Sequence, residues 1–160
     1  MRRYAEGTSV PISRSRAEID GILRNWGADA IQWSDDFKHD KVMLRFLWTW
    51  QERQYVARFT LALPTAKDLS GDAIDGRTGR VSERKLEALM ADRGKQEHRI
   101  LALWLKAAFN AVDAGIVTAE ALFLAFFEGR DGQTVAEVAL PRLPDLLAGS
   151  AMRLLPEARR

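Results

Sequence analysis

Between Gln96 and Phe127 the chain carries more apolar side chain than a surface helix can hide. Ile100 to Leu105 is an unbroken apolar run, Ala107–Phe109 and Ala111–Val112 continue it, and Leu122 to Phe127 adds a second block. At helical spacing Leu101, Leu105, Ala108 and Val112 share one face, while Ile100, Leu103, Trp104, Ala107 and Ala111 cover much of the rest. A helix that is apolar nearly all round must be wrapped by other elements. Lys106, Asn110 and Asp113 interrupt it before the ~20 apolar residues of a membrane span. The expectation is the central helix of a soluble core, with Trp104 inside it.

The other elements that would do the wrapping are legible on either side. Ser15-Arg16-Ala17-Glu18 fits a capping box, in which serine and glutamate side chains satisfy orphan amides reciprocally. Ile19, Ile22, Leu23 and Trp26 then fall on one helical stripe, and Gly27 occupies the left-handed position that ends helices. Before this helix, Tyr4 to Ile12 reads as an extended arm, with Pro11 holding Val10 away from helical dihedrals. Three antiparallel strands are expected next, at about Ala28–Trp33, Lys41–Trp50 and Tyr55–Leu63. A four-residue loop from Gln51 to Gln54 pairs Trp50 with Tyr55, Trp48 with Ala57, Phe46 with Phe59 and Leu44 with Leu61. Every pair on that face is apolar or aromatic, as a buried sheet face demands. The face resembles the aromatic platforms of single-strand binders, but alternating aromatics on a strand more often form core. The opposite face carries Arg45, Leu47, Thr49, Val56, Arg58 and Thr60, with Arg45 diagonal to Arg58.

Pro64 ends the third strand, and the polar, glycine-containing segment 65–80 is expected to be a mobile or functional loop. Ser82 can cap a helix through Met90, with Leu86, Leu89 and Met90 on its buried side. Gly94 either separates that helix from the central one or is tolerated within one long helix. Further on, Gly115 breaks the pattern, Thr118 can cap a short helix over Ala119–Phe127, and Arg130 to Gln133 reads as a turn. Thr134 and Glu137 form a second capping box. Pro141 and Pro144 leave a short turn around Pro144–Leu147, and Met152, Leu154 and Leu155 are apolar enough to pack down. The fold expected is a single α+β domain over residues 1–160: N-terminal helix, three-stranded antiparallel meander, helical C-terminal half, in the order α-β-β-β-α.

The chain has 160 residues, 47% of them hydrophobic, enough for one full-sized core. It has no cysteine, which excludes disulfides, thiolate metal sites and cysteine nucleophiles. The N-terminal residues lack the apolar segment of a secretory signal, so a cytoplasmic location is expected. A pI near 9.1 looks basic, yet 24 Lys+Arg face 22 Asp+Glu for a net charge of +2. No segment holds the concentrated basic stripe that dominates non-specific DNA affinity.

Motifs for chemistry are sparse. Asp35-Asp36-Phe37-Lys38-His39-Asp40 gathers metal-binding side-chain types, but it falls in the expected first strand connection, where such residues form turns. Asp68, Asp72 and Asp75 lack the alternating-oxygen spacing of a calcium loop. There is no phosphate loop, dinucleotide fingerprint or nucleophile elbow. His98, between Glu97 and Arg99, reads as a surface or boundary residue. No catalytic residue, metal or cofactor is expected.

Several stretches together carry a family resemblance. Tyr4-Ala5-Glu6-Gly7-Thr8-Ser9-Val10-Pro11 is followed by Ser13-Arg14-Ser15-Arg16-Ala17-Glu18-Ile19. Further elements are Arg58-Phe59 with Leu61-Ala62-Leu63-Pro64, Leu105-Lys106-Ala107, and Ala111-Val112-Asp113-Ala114-Gly115-Ile116 with Thr118. Glu120, Phe123-Leu124 and Asp131-Gly132-Gln133-Thr134-Val135 complete the pattern. The chain resembles a family of small proteins encoded by tailed bacteriophages and prophages, over nearly its whole length except about 65–95. Ala121 departs from the pattern, which usually has an acidic capping partner there. The resemblance implies a phage origin and carries no mechanism with it. The element order also matches double-stranded RNA-binding domains, an analogy of topology alone.

These readings lead to a phage accessory protein that meets DNA or RNA during recombination, replication or packaging. Its candidate contacts are Arg14, Arg16, Arg45, Arg58, Arg77, Arg80, Arg84 and Lys85. The alternative is a module that binds a host or phage protein, such as an inhibitor of a bacterial defence complex, or a structural virion component. No membrane partner is expected.

Overall fold

In the computed structural model, which describes residues 5–148, the chain forms an antiparallel three-stranded sheet with helices packed on one face. The first helix, α1, spans Ile12–Asn25 and begins three residues before the expected capping box. Pro11 is the N-cap in extended conformation, and its carbonyl accepts from the amides of Arg14 and Ser15. Ser15 therefore sits inside the helix, completely buried, its hydroxyl without a hydrogen-bond partner. The capping-box expectation fails because Ile12 is drawn into the core side of the helix, toward Gly94. Ile19 and Leu23 are buried as expected, and Gly27 follows the helix at φ +80°. Its amide reaches the carbonyl of Arg24.

The strands are β1 (Ala28–Asp36), β2 (Lys41–Trp50) and β3 (Arg53–Ala62), paired in sequence order. β1 is longer than expected, so Asp35 and Asp36 belong to the strand and pair opposite Val42 and Lys41. The β2–β3 register also differs. Trp50 lies opposite Arg53, Trp48 opposite Tyr55, Phe46 opposite Ala57 and Leu44 opposite Phe59. Gln51 and Glu52 alone make the turn, both with positive φ (48° and 61°), the primed geometry whose twist matches that of the strands. The register moves by two residues, and because side chains alternate with period two, each keeps its expected face. Arg45 and Arg58 become direct partners instead of diagonal ones.

Leu44, Phe46, Ala57 and Phe59 form the inner face, packed with α1 and with a long helix, α3, over Glu83–Asp113. Ser82 caps α3, accepting from the Lys85 amide at 3.4 Å, and Gly94 is accommodated within it. Leu101, Ala102, Leu105, Ala108 and Phe109 are buried, but Ala107 is exposed and Trp104 is 37% exposed. The helix is covered on one side and not all round. Its apolar surplus is shared with the C-terminal half: Trp104 rests against Phe59, Phe123 and Phe126.

Between β3 and α3, the segment expected as a loop contains a helical turn, α2 (Ala66–Leu69), with a complete capping box between Thr65 and Asp68. Leu69 and Ala73 are buried anchors. Ile74 and Val81 bridge, and the Ser82 amide donates to the Ala73 carbonyl, closing a turn around residues 75–80. After Gly115 (φ +70°), α4 covers Ala119–Phe123 and continues into a 3₁₀ turn at Leu124–Phe126. Thr118 caps it through the Ala121 amide at 3.3 Å. Phe127 bridges Ala57, extending the β3 edge, and Glu128 donates its amide to the Val56 carbonyl. α5 (Val135–Ala139) starts at the expected Thr134–Glu137 box, and α6 (Leu143–Leu147) follows a 3₁₀ turn at Leu140–Arg142. Tyr4, Met152, Leu154 and Leu155 lie outside the described residues. No described helix is long and apolar enough to cross a membrane.

Candidate nucleic-acid interface

The eight candidate cations fall into three settings. Arg16 belongs to the seam between α1, β1 and α3. Its guanidinium grips the Asp35 carboxylate with contacts of 2.5 and 3.2 Å, lies 4.7 Å over the Trp33 ring, and donates through Nε to His98 Nε2 at 3.2 Å. The Trp33 indole N–H in turn donates to Asp20 at 2.9 Å. His98 is 1% exposed, not the surface or boundary residue its charged neighbours suggest. Its Nδ1 reaches the Gly94 carbonyl at 2.8 Å. Since Nε2 accepts from a guanidinium, Nδ1 carries the proton and the ring is neutral. Burial pushes the His98 pKa below its ordinary value; the Gly94 carbonyl opposes this, Arg16 adds to it, and Asp35 opposes it. The Arg16 hydrogen bond holds Asp35 below the usual carboxylate range. Both imidazole nitrogens are occupied, so the cluster ties elements together and offers no free base. Glu18 and Arg99 pair beside it.

Arg45 and Arg58 lie opposite one another on the outer sheet face, where like charges destabilise. Glu128 resolves the conflict. Its Oε1 accepts from Arg45 Nε and Nη2 at 3.1 and 3.0 Å and lies 3.2 Å from Arg58 Nε. Arg58 Nη2 also meets Glu137 at 2.5 Å. Glu137 is held below the ordinary carboxyl value, first by the Thr134 amide and also by Arg58. Three of the eight cations are therefore committed to carboxylates of the fold. No sequence pattern joins positions 45 and 58 to 128 and 137.

The remaining cations are exposed. Arg14 stands on the outer side of α1 near Glu18 and Arg99. Arg77, Arg80, Arg84 and Lys85 occupy the closed turn and the first residues of α3. Arg77, Arg80 and Arg84 have no side-chain ion pair among the described residues, while Lys85 Nζ donates to the Ile74 carbonyl at 3.2 Å. The acidic neighbour Asp75 spends Oδ1 on the Arg77 amide at 2.8 Å, shaping the turn. Among the described residues, neither Asp75 nor Glu83 forms an ion pair with these cations. Arg84 and Lys85 also sit at the positive end of the α3 macrodipole, where cations are disfavoured and anions attracted.

In the Asp35–Asp40 group, Asp35 and Asp36 are likewise spoken for. Asp36 Oδ1 accepts from the amides of Lys38 and His39, and its Oδ2 lies 2.7 Å from His39 Nδ1. That contact with His39 is the main reason its pKa is lowered. Among the described residues no group of three or more His, Cys, Asp or Glu is arranged to hold a metal ion. No protein-family profile, no curated protein and no solved structure matches this chain.

Proposed function

We propose that this chain is a phage-encoded accessory protein that contacts DNA or RNA through its phosphate backbone, using Arg77, Arg80, Arg84 and Lys85. The observation that carries the reading is their setting. Of the candidate cations, these four share one short exposed segment leading into a helix N-terminus, whose dipole favours an anion. Arg16, Arg45 and Arg58 are engaged internally and contribute at most a background field. Contacts of this kind position a backbone without reading bases, so the expected binding is weakly dependent on sequence. The phage origin rests on the sequence resemblance alone.

A salt titration of the Arg77→Gln/Arg80→Gln/Arg84→Gln/Lys85→Gln variant tests the site. Affinity for unrelated DNA and RNA sequences should fall by a similar factor. The slope of log affinity against log salt should fall by about 0.7–0.9 for each phosphate no longer neutralised. An unchanged slope and affinity, or no binding by the parent at low salt, overturns the proposal.

A second reading is favoured by a separate observation. Leu124, Val138, Leu140 and Leu143 are all exposed in the C-terminal half, a cluster in sequence suited to a protein partner. Binding that survives high salt and disappears on Leu140→Ser/Leu143→Ser would support that module instead.

A further inference from the structure

The β1–β2 turn holds an aromatic ring in water. Phe37 is 91% exposed, although its neighbours build a firm turn beneath it. Asp36 accepts from two successive amides and His39, and the Leu63 amide donates to the Asp40 carbonyl at 2.7 Å. An aromatic side chain at a tip fastened on both sides contributes nothing to the core. The last of these bonds also fixes where the tip lies. Leu63 leads through Pro64 into α2, and Ala73 then anchors the turn that carries the basic residues. The Phe37 tip is therefore fastened to the start of the segment whose far end is the basic turn. α2 packs beside Arg93 and Glu97 of α3, about 14–20 Å along that helix from Arg84.

We propose that Phe37 stacks on an unpaired nucleobase, so that the nucleic acid held by the basic turn is single-stranded there. This rests on the reading above and adds the class of ligand. A lone phenyl ring at a hairpin tip matches the π-face of a splayed base, which every base offers and a duplex covers. The charges at the tip permit a strand to approach. Lys38 and Lys41 are exposed, while Asp35 is held by Arg16 and Asp36 by His39. Asp40 is the one carboxylate of the tip without an ion pair among the described residues.

Fluorescence anisotropy with labelled oligo-dT and with a duplex of equal length, on the full chain at low salt, tests the assignment. Phe37→Ala should weaken oligo-dT binding about tenfold, the scale of removing one base–aromatic stack. Duplex binding and the salt slope should stay at the parent's values, and Phe37→Tyr should restore oligo-dT affinity. Thermal melting of Phe37→Ala should match the parent, since the ring touches no core. If Phe37→Ala binds oligo-dT like the parent while the four-cation variant does not, the stacking role is overturned and the phosphate site stands. Equal losses on oligo-dT and duplex overturn it too. If the parent binds neither probe, both proposals fall.

Discussion

His98 shows how far a single residue can depart from its sequence context. Flanked by Glu97 and Arg99, it is nonetheless enclosed, neutral, and stacked against Trp33 at 5.9 Å. Protonation would set a cation against Arg16 and remove the lone pair that accepts from it. Because the folded pKa lies below the ordinary 6.5, the unfolded chain binds the proton more readily. The stability from neutral His98 is thus fully present above pH 6.5 and is lost as pH falls below that value. Asp35, lowered from 3.8, adds a separate loss as pH falls below that value. Denaturant unfolding followed from about pH 8 to pH 5 should show declining stability on the acid side, and His98→Gln should flatten that decline. A parent that is equally stable across the interval contradicts the assignment. Ser15, by contrast, is a buried hydroxyl without a partner.

At the scale of elements, the β2–β3 hairpin separates what the pattern of residues specifies from what it leaves open. β2 has the expected bounds, Lys41–Trp50, because polar turn residues flank its apolar run on both sides. The partner register departs from the expected one by two residues because Gln51-Glu52 lacks the Asn-Gly or Gly signature of a tight turn. Those residues occupy the left-handed region without the glycine that enters it freely. Replacing Gln51-Glu52 by Asn-Gly should therefore stabilise the chain by about 1 kcal/mol, seen as a rise of about 2–4 °C in Tm. A drop in Tm would mean that these two residues do not form the turn. The helix starts divide in the same way. Ser82, Thr118 and Thr134 cap as expected, whereas Ser15 has the same local motif but is buried inside a helix that starts earlier, at Ile12. Local motifs specify caps where burial does not compete. Of the candidate site, the exposed 77–85 cations are legible in the sequence, but the capture of Arg16, Arg45 and Arg58 is not. Their partners are brought from 19 to 83 positions away by the fold.

For the molecule as a whole, the inner side of the sheet carries α1, α3 and the aromatic residues Phe123 and Phe127, while the outer side is tied by charge to Glu128 and Glu137. Glu128 is the joint. Its carboxylate is largely buried, it separates two arginines that strand pairing forces together, and its amide extends β3 through Val56. The next link follows directly, because the Val135 amide donates to the Phe127 carbonyl and Glu137 returns to Arg58. Removing the carboxylate leaves Arg45 opposite Arg58 with no counter-ion between them and exposes the seam to water. Glu128→Ala should cost about 2 kcal/mol, below the roughly 3–5 kcal/mol of a fully buried pair because Arg45 reaches solvent. The loss should also be local. Hydrogen exchange should speed up at the amides of Glu128 and Val135, while those of Leu101 to Leu105 in α3 keep their protection. If the α3 amides lose protection to the same degree, the segment from Glu128 to Glu137 is not separately secured. It would then fold and unfold with the α1–α3 core as one cooperative unit.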